Sequence, residues 1–358
     1  PLDLAFSCWF FHLFWHFERV IGSMFGWRAI GFPNEFSQIR GAWIGMLLFL
    51  IWMERRYFAA VFKRAIFGRG DIDDSTEAMS YRAAVLGVVV GIILITLFCM
   101  HAGMSFWVAL LFFGIYFAMS VLITRIRAEL GPPSHDLYNA GPDLILSDSI
   151  GTRRLGKSNL SAMTMFFWLN HLAYRGHPMP HQLEALKLAH QTKLNRRGLF
   201  VALLLAVTIS MLSASWGYLH ISYKMGLEQG HSWYAKSAFN RLASWTNSPQ
   251  GPNITNLWFS LGGFIFAIVL LILRLRFLWW PLHPVGYIIS SWWTFTGLWF
   301  PILISWFIKK LILSYTGVKG YRKITPFFLG LILGDVIVAS IVSILGIFLN
   351  FRVVYLRW

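Results

Sequence analysis

A single carboxylate stands in a long apolar stretch near the C-terminal end of this chain. Asp335 lies within Phe327–Leu349, and only one other acid, Glu228, follows Glu184. An ionisable group in hydrocarbon is costly, so it is retained where it titrates, pairs with a cation or meets a substrate. Gly330 and Gly334 precede it at the four-residue spacing that lets a second helix approach closely. Asp335 is therefore read as a proton or cation site. The alternative is structural: a pair with a Lys or Arg, or a protonated hydrogen bond to a neighbouring helix.

The other chemistry-bearing residues crowd between Arg127 and Arg197. Ser134-His135-Asp136, with Asp143 and Asp148 and with Arg153, Arg154 and Lys157, has the residue types for hydrolysis or metal-assisted phosphoryl chemistry. Adjacent side chains diverge along a backbone, so the bland reading is a structured, solvated loop. His177-Pro-Met-Pro-His181, with His171 and His190, has the residue type for a metal site. Pro178 and Pro180 oppose a helix that would set both imidazoles on one face, and no Cys or spaced carboxylate completes the set. Neither a metal nor a cofactor is expected. HExxH, Walker A, GxSxG and GxGxxG patterns are missing, which argues against ATP-driven work in this chain. Cys8 and Cys99 lie in apolar stretches without a CxxC partner and read as small buried hydrophobes.

The elements that must hold these residues are membrane helices. Of 358 residues, 57% are hydrophobic, 17% aromatic and only 13% charged, about half the charged share of a soluble domain. Several windows reach the roughly 20 apolar residues that cross a bilayer. The expected spans are Leu2–Phe17, Ile39–Phe62, Ala83–Met104, Ser105–Ile126, Leu199–Tyr223, Leu257–Phe277 and Phe327–Leu349. Pro1 opens the chain inside an apolar stretch, with no basic n-region or cleavage site, so it reads as a fragment lacking its N-terminal portion. The formal charge of +16 falls in the loops. Met53–Arg82 carries six Lys/Arg, Thr124–Arg197 ten and His220–Asn256 three, while His101–Ser105 carries none. That alternation puts Met53–Arg82, Thr124–Arg197 and Arg274–His283 on the cytoplasmic side. It also accounts for the basic balance without a nucleic-acid partner.

Pro284–Leu313 departs from this order. Thirty residues of helix would be about 45 Å long, well over the hydrocarbon thickness. A single span would also carry Lys309, Lys310, Lys319, Arg322 and Lys323 to the outside. A broken pair hinged near Gly297 and Pro301 restores the charge rule, and discontinuous helices are where transporters hold substrate. One long, tilted, Pro-kinked helix is the alternative. Gly87-Val-Val-Val-Gly91 and Gly330-Leu-Ile-Leu-Gly334 are expected to serve helix packing. The whole reads as an all-α, polytopic transmembrane helix bundle of about 7–9 membrane segments, one of them discontinuous. Its expected parts are 1–126, a first bundle portion; 127–197, a long cytoplasmic loop with interfacial helices, among them Gln182–Arg197; and 198–358, a second bundle portion.

Trp280-Pro-Leu-His-Pro-Val-Gly286, Trp306–Lys310, Gly317-Val-Lys-Gly-Tyr-Arg322 and Pro326–Asp335 resemble the closing region of oligopeptide-transporter-like proteins. With Pro1–Phe11 and Arg127–Asp136 added, most of the chain resembles an uncharacterised group of bacterial multi-span proteins. The transporter family's Asn-Pro-Gly and Lys-Ile-Pro-Pro-Arg motifs are not in this sequence, so no binding residue is carried over. The resemblance implies ion- or proton-coupled uptake of peptides or metal chelates.

The functional expectation is a secondary transporter of peptides or related small solutes in a bacterial inner membrane. Asp335 would couple it to a proton or cation, and Gly297 and Pro301 would flank the substrate. The expected partners are the lipid bilayer, a small-molecule or peptide substrate and, where the packing motifs are used between chains, a second copy. Two alternatives stay open. One is a membrane enzyme using His135 and Asp136 on a lipid-linked substrate; the other is a non-catalytic subunit of a membrane complex.

Overall fold

The computed structural model describes residues 1–27, 31–68, 72–75, 77–131, 140–167, 169, 177–226, 233–291 and 293–349. All regular structure among them is helical: α1 Leu2–Met24, α2 Glu35–Phe67, α3 Tyr81–His101, α4 Phe106–Leu130, α5 Pro142–Ile150, α6 Thr152–Met165, α7 Pro178–Thr192, α8 Arg196–Met225, α9 Trp233–Asn247, α10 Ile254–Arg276, α11 Pro284–Ile289 and α12 Trp293–Leu349. Six of these, α2, α3, α4, α8, α10 and α12, are long and apolar enough to cross a membrane. The protein is a multi-pass integral membrane protein. The 23-residue α1, expected to span over Leu2–Phe17, is not among the six.

The helices form two compact units, Pro1–Phe14 with the chain from Pro281 onward, and Trp15–Trp280. In the first, the short α11 is buried along its whole length. Its approach to α1 is set by Gly286, where a Cβ would lie 2.9 Å from the Ser7 carbonyl carbon. Ser7 Oγ accepts from the His283 amide at 2.6 Å, and His12 Nδ1 lies 3.1 Å from the Ser290 carbonyl oxygen. Phe11 packs edge-on against Tyr287.

The interruption expected at Gly297 and Pro301 falls elsewhere. The chain leaves helical structure after Ile289, at Ser290 and Ser291, and α12 then runs through Gly297 and Pro301 in helical geometry. Its real break is Gly317, whose φ of 62° and ψ of −164° suit a residue with no Cβ. One cavity of about 390 Å³ is lined by Ser305, Ile308 and Ile312 before this glycine and by Thr325, Phe328 and Ile332 after it. The two arms of α12 therefore fold back on each other.

In the second unit α2 and α10 make the closest helix pair. They run parallel, with Asn34 beside Asn256, Gly41 beside Ser260 and Gly45 beside Phe264. The 127–197 segment differs most from its expected form. Its flanks stay at one end of α4, where Arg127 Nε donates to Glu184 at 2.8 Å. Its middle reaches the other end: Asn159 Oδ1 accepts from the Ser105 amide at 2.7 Å, and Ser158 Oγ donates to the Gly103 carbonyl at 2.6 Å. The described middle of the segment, 140–167, thus runs along α4 to its opposite end, with Leu155, Leu160, Ala162 and Met163 buried. Part of it packs on neighbouring helices, while Arg153, Arg154, Lys157 and Ser158 are exposed.

Candidate functional site

The polar core of the Trp15–Trp280 unit begins with two glycines. A Cβ on Gly41 would lie 2.5 Å from the Ser260 carbonyl carbon, and one on Gly263 would lie 2.5 Å from that of Gln38. Only bare backbone at both positions lets α2 and α10 come this close. The approach sets their first turns side by side, and Asn34 Nδ2 donates to Asn256 Oδ1 at 2.7 Å. Asn256 Nδ2 in turn donates to both carboxylate oxygens of Asp148, each at 3.1 Å. Arg40 closes the network, its Nη1 pairing with Asp148 Oδ2. The same guanidinium donates to Ser37 Oγ at 2.9 Å, to the Phe36 carbonyl at 3.3 Å and to the Leu144 carbonyl at 3.4 Å.

Asp148 sits beside a helix break. α5 ends at Gly151, whose φ of 88° stops the helix, and a Cβ there would lie 2.5 Å from the Gly251 carbonyl carbon. The freed backbone groups are met by the 248–253 loop. The Asn253 amide donates to the Asp148 carbonyl at 2.9 Å, the Arg153 amide to Gln250 O at 2.9 Å, and the Gln250 amide to Thr152 Oγ1 at 2.9 Å.

At the start of α5, Asp143 is wholly buried and paired with Arg241 of α9. That guanidinium carbon stands 4.6 Å from the ring centroids of both Phe167 and Trp245. A third pair, Arg19 with Glu35, lies at the start of α2. Glu35 is buried, and its Oε2 has no hydrogen-bond partner among the described residues. Next to it, Gln38 Nε2 donates to the Pro33 carbonyl at 2.6 Å and to Glu18 Oε2 at 3.4 Å. Glu18 lies outside the six membrane-crossing helices. Burial pushes its carboxyl up to about 7, the Gln38 hydrogen bond opposes the rise, and the charge of Glu35 adds to it. The cluster therefore holds three ion pairs and one further carboxyl whose burial raises its affinity for a proton.

Asp143 and Asp148, read from sequence as carboxylates for a phosphoryl site, are instead neutralised by arginines from distant helices. Arg153, which was to join them, packs on the 249–250 backbone, and Arg154 and Lys157 are exposed. Ser134, His135, Asp136 and His171 lie outside the described residues. His177 is buried as the N-cap of α7, accepting from the Met179 amide at 3.2 Å, while His181 is exposed. Pro178 and Pro180 do not block this helix, because both fall in its first turn, where a missing amide is tolerated. No group of three or more metal-ligating side chains occurs among the described residues.

Asp335 is exposed on the second arm of α12 and makes no hydrogen bond or ion pair with the described residues. A Cβ on Gly87, Gly91, Gly297, Gly330 or Gly334 would meet no atom within 4 Å. None of these belongs to the Asp148 network. The residues that do, Asn34, Arg40 and Asn256, have no catalytic spacing to mark them, and only the partner helix gives them meaning.

The sequence profile of one protein family matches residues 1–356. The chain belongs to DUF6785, a family of unknown function. The DUF6785 match takes in both compact units and agrees with the whole-chain resemblance to an uncharacterised family. It names no activity and makes no link to oligopeptide transporters or to a bacterial source. No curated protein and no solved structure matches the chain.

Proposed function

We propose that this DUF6785 protein is a secondary transporter, coupled to protons or another cation, that moves peptides or related small solutes across a bacterial inner membrane. The observation that carries the reading is the helix break between α5 and α6, with Asp148, Arg40 and Asn256 beside it. Discontinuous helices inside a bundle, with polar groups gathered at the interruption, are the usual place for substrate and coupling ions in secondary transporters. Glu18, protonated and deprotonated near neutral pH beside Glu35, supplies a proton-responsive group in the same cluster. Asp335 remains the second candidate for coupling, from its cost in hydrocarbon.

The test is uptake into proteoliposomes under an imposed proton gradient, with di- to tetrapeptides and metal chelates as solutes. At least one solute class is expected to accumulate and to carry protons inward. Asp148→Asn, which keeps the shape but weakens the Arg40 pair, is expected to lower uptake at least tenfold while the protein stays folded. Asp335→Asn is expected to abolish gradient-driven uptake alone. Normal transport by both variants, or no accumulation and no ligand-induced rise in melting temperature for any solute, would sink the proposal.

A further inference from the structure

Away from the Asp148 network, a groove of about 850 Å³ opens where α7 lies against the C-terminal end of α4 and the start of α8. That volume is within the range of small-molecule sites. One part of its lining is apolar, from Leu183, Leu186 and Leu188; another is charged, with Lys187 and Arg196 and one acid, Glu77, that faces the same groove. Arg127, also in the lining, is already paired with Glu184. Lys187 makes no hydrogen bond or ion pair with the described residues, and Arg196 Nη2 is within hydrogen-bond distance of His190 Nδ1.

The place of the groove selects its occupant. α4 and α8 are both long and apolar enough to span a membrane, and the groove sits at their ends, where hydrocarbon meets water. Beyond Arg196, α8 runs on with Leu204 and Val207 exposed toward the side that Arg196 occupies, and its apolar window has no buried residue. With Arg127, Lys187 and Arg196 against Glu77 and Glu184, a mouth of net positive charge thus opens onto an uncovered apolar wall. That order fits a molecule with a negative head and a hydrocarbon tail, whereas a free anion gains nothing from the leucines or the wall.

We propose that this groove binds one anionic phospholipid, its phosphate held by Lys187 and Arg196 and its acyl chains laid along α8. The site is specific in place, unlike the general attraction of a basic loop to an anionic leaflet. It stands apart from the transport proposal.

The experiment is thermal unfolding of the whole purified chain in detergent, titrated with dioleoyl phosphatidylglycerol, with dioleoyl phosphatidylcholine, or with inorganic phosphate. Phosphatidylglycerol is expected to raise the melting temperature saturably, and the other two are not. Lys187→Ala with Arg196→Ala is expected to weaken the phosphatidylglycerol response roughly 10- to 30-fold, the scale of two interfacial cations. Lys193→Ala with Arg197→Ala removes the same charge from neighbouring residues outside the groove and is expected to stay within about threefold of the parent. Lys187→Gln alone guards against misfolding, since this side chain is exposed, and is expected to give an intermediate loss. Equal losses in the two double variants would mean diffuse attraction and overturn the site. No loss in either would do the same, and an equal response to inorganic phosphate would overturn the lipid.

Discussion

Adjacent glycines on α10 give a sharp test of the helix pair on which the candidate site rests. A Cβ on Gly263 would lie 2.5 Å from the Gln38 carbonyl carbon, whereas one on Gly262 would meet nothing within 4 Å. Ordinary contact needs about 3.5 Å and the Gln38 carbonyl oxygen lies nearer still than its carbon, so Gly263→Ala must push the two backbones apart by at least about 1 Å. The obstacle is main chain, which has no rotamer to escape into. Overpacking of this kind costs about 1–3 kcal/mol, and the backbone target puts it at the upper end. Replacing a helical glycine by alanine returns about 0.5–1 kcal/mol in both variants. Gly263→Ala should therefore lose about 2 kcal/mol net and Gly262→Ala should gain slightly. In melting temperature that is a fall of about 4–8 °C against a rise of about 1–2 °C. Intrinsic tryptophan fluorescence in detergent reads both. The two residues share a helix and a membrane depth, so detergent effects cancel in the comparison. If Gly263→Ala melts with Gly262→Ala, the close approach of α2 and α10 is wrong, and the Asn34–Asn256–Asp148 chain goes with it.

Two other perturbations address the charges. Arg241→Ala leaves Asp143 wholly buried without its cation, a loss of about 3–5 kcal/mol; the double variant with Asp143→Asn should recover much of it, and a mild single variant in a denaturant titration would refute the buried pair. Glu18 binds its proton more tightly folded than unfolded, its carboxyl rising from 4.5 to about 7. Its contribution is therefore most favourable below pH 4.5 and is lost as pH rises through 7, and Glu18→Gln should flatten that fall in melting temperature; an unchanged pH profile would remove Glu18 as the titrating group.

Hydropathy made most of the membrane helices legible, because a bilayer demands long apolar runs whatever their partners. Tyr81–His101 and Arg196–Met225 lie close to the expected Ala83–Met104 and Leu199–Tyr223. The course of 140–167 along α4 was not legible for the same reason in reverse. Arg153, Arg154, Lys157 and Asn159 make it look like a solvated loop, and counting loop charges assigns every non-span to one face. What lays the segment along α4 is the burial of Leu155, Leu160, Ala162 and Met163 between those charges, which an averaged hydropathy does not register. Gly317 was visible only as part of a resemblance, since Pro301 is the more familiar breaker; within α12 the proline is accommodated and the glycine turns the chain.

The glycine motifs carry the same lesson to the candidate site. Gly41-Ala-Trp-Ile-Gly45 has the spacing of Gly87–Gly91 and Gly330–Gly334, yet it alone of the three meets a partner helix within the described chain. Spacing reports that a backbone is able to approach another, not that a neighbour is there. A second signal was present in the sequence all the same. Asn34 precedes Gly41 by the same interval as Asn256 precedes Gly263. Seven residues are close to two helical turns, so on α10 Asn256 and Gly263 share a face, while Asn34, the left-handed N-cap of α2, meets Asn256 from just outside its own helix. Two helices that carry this matched pair can lie parallel, with asparagine against asparagine above and each glycine against the other's backbone below. The match becomes a constraint only once α2 and α10 are known to be partners, and the basic charge that drew attention to Thr124–Arg197 pointed away from both. Asp148 then follows from the pairing: two asparagines locked to each other leave the Asn256 amide nitrogen as a donor, and Arg40, within two turns, supplies the cation that a carboxylate needs in so little water.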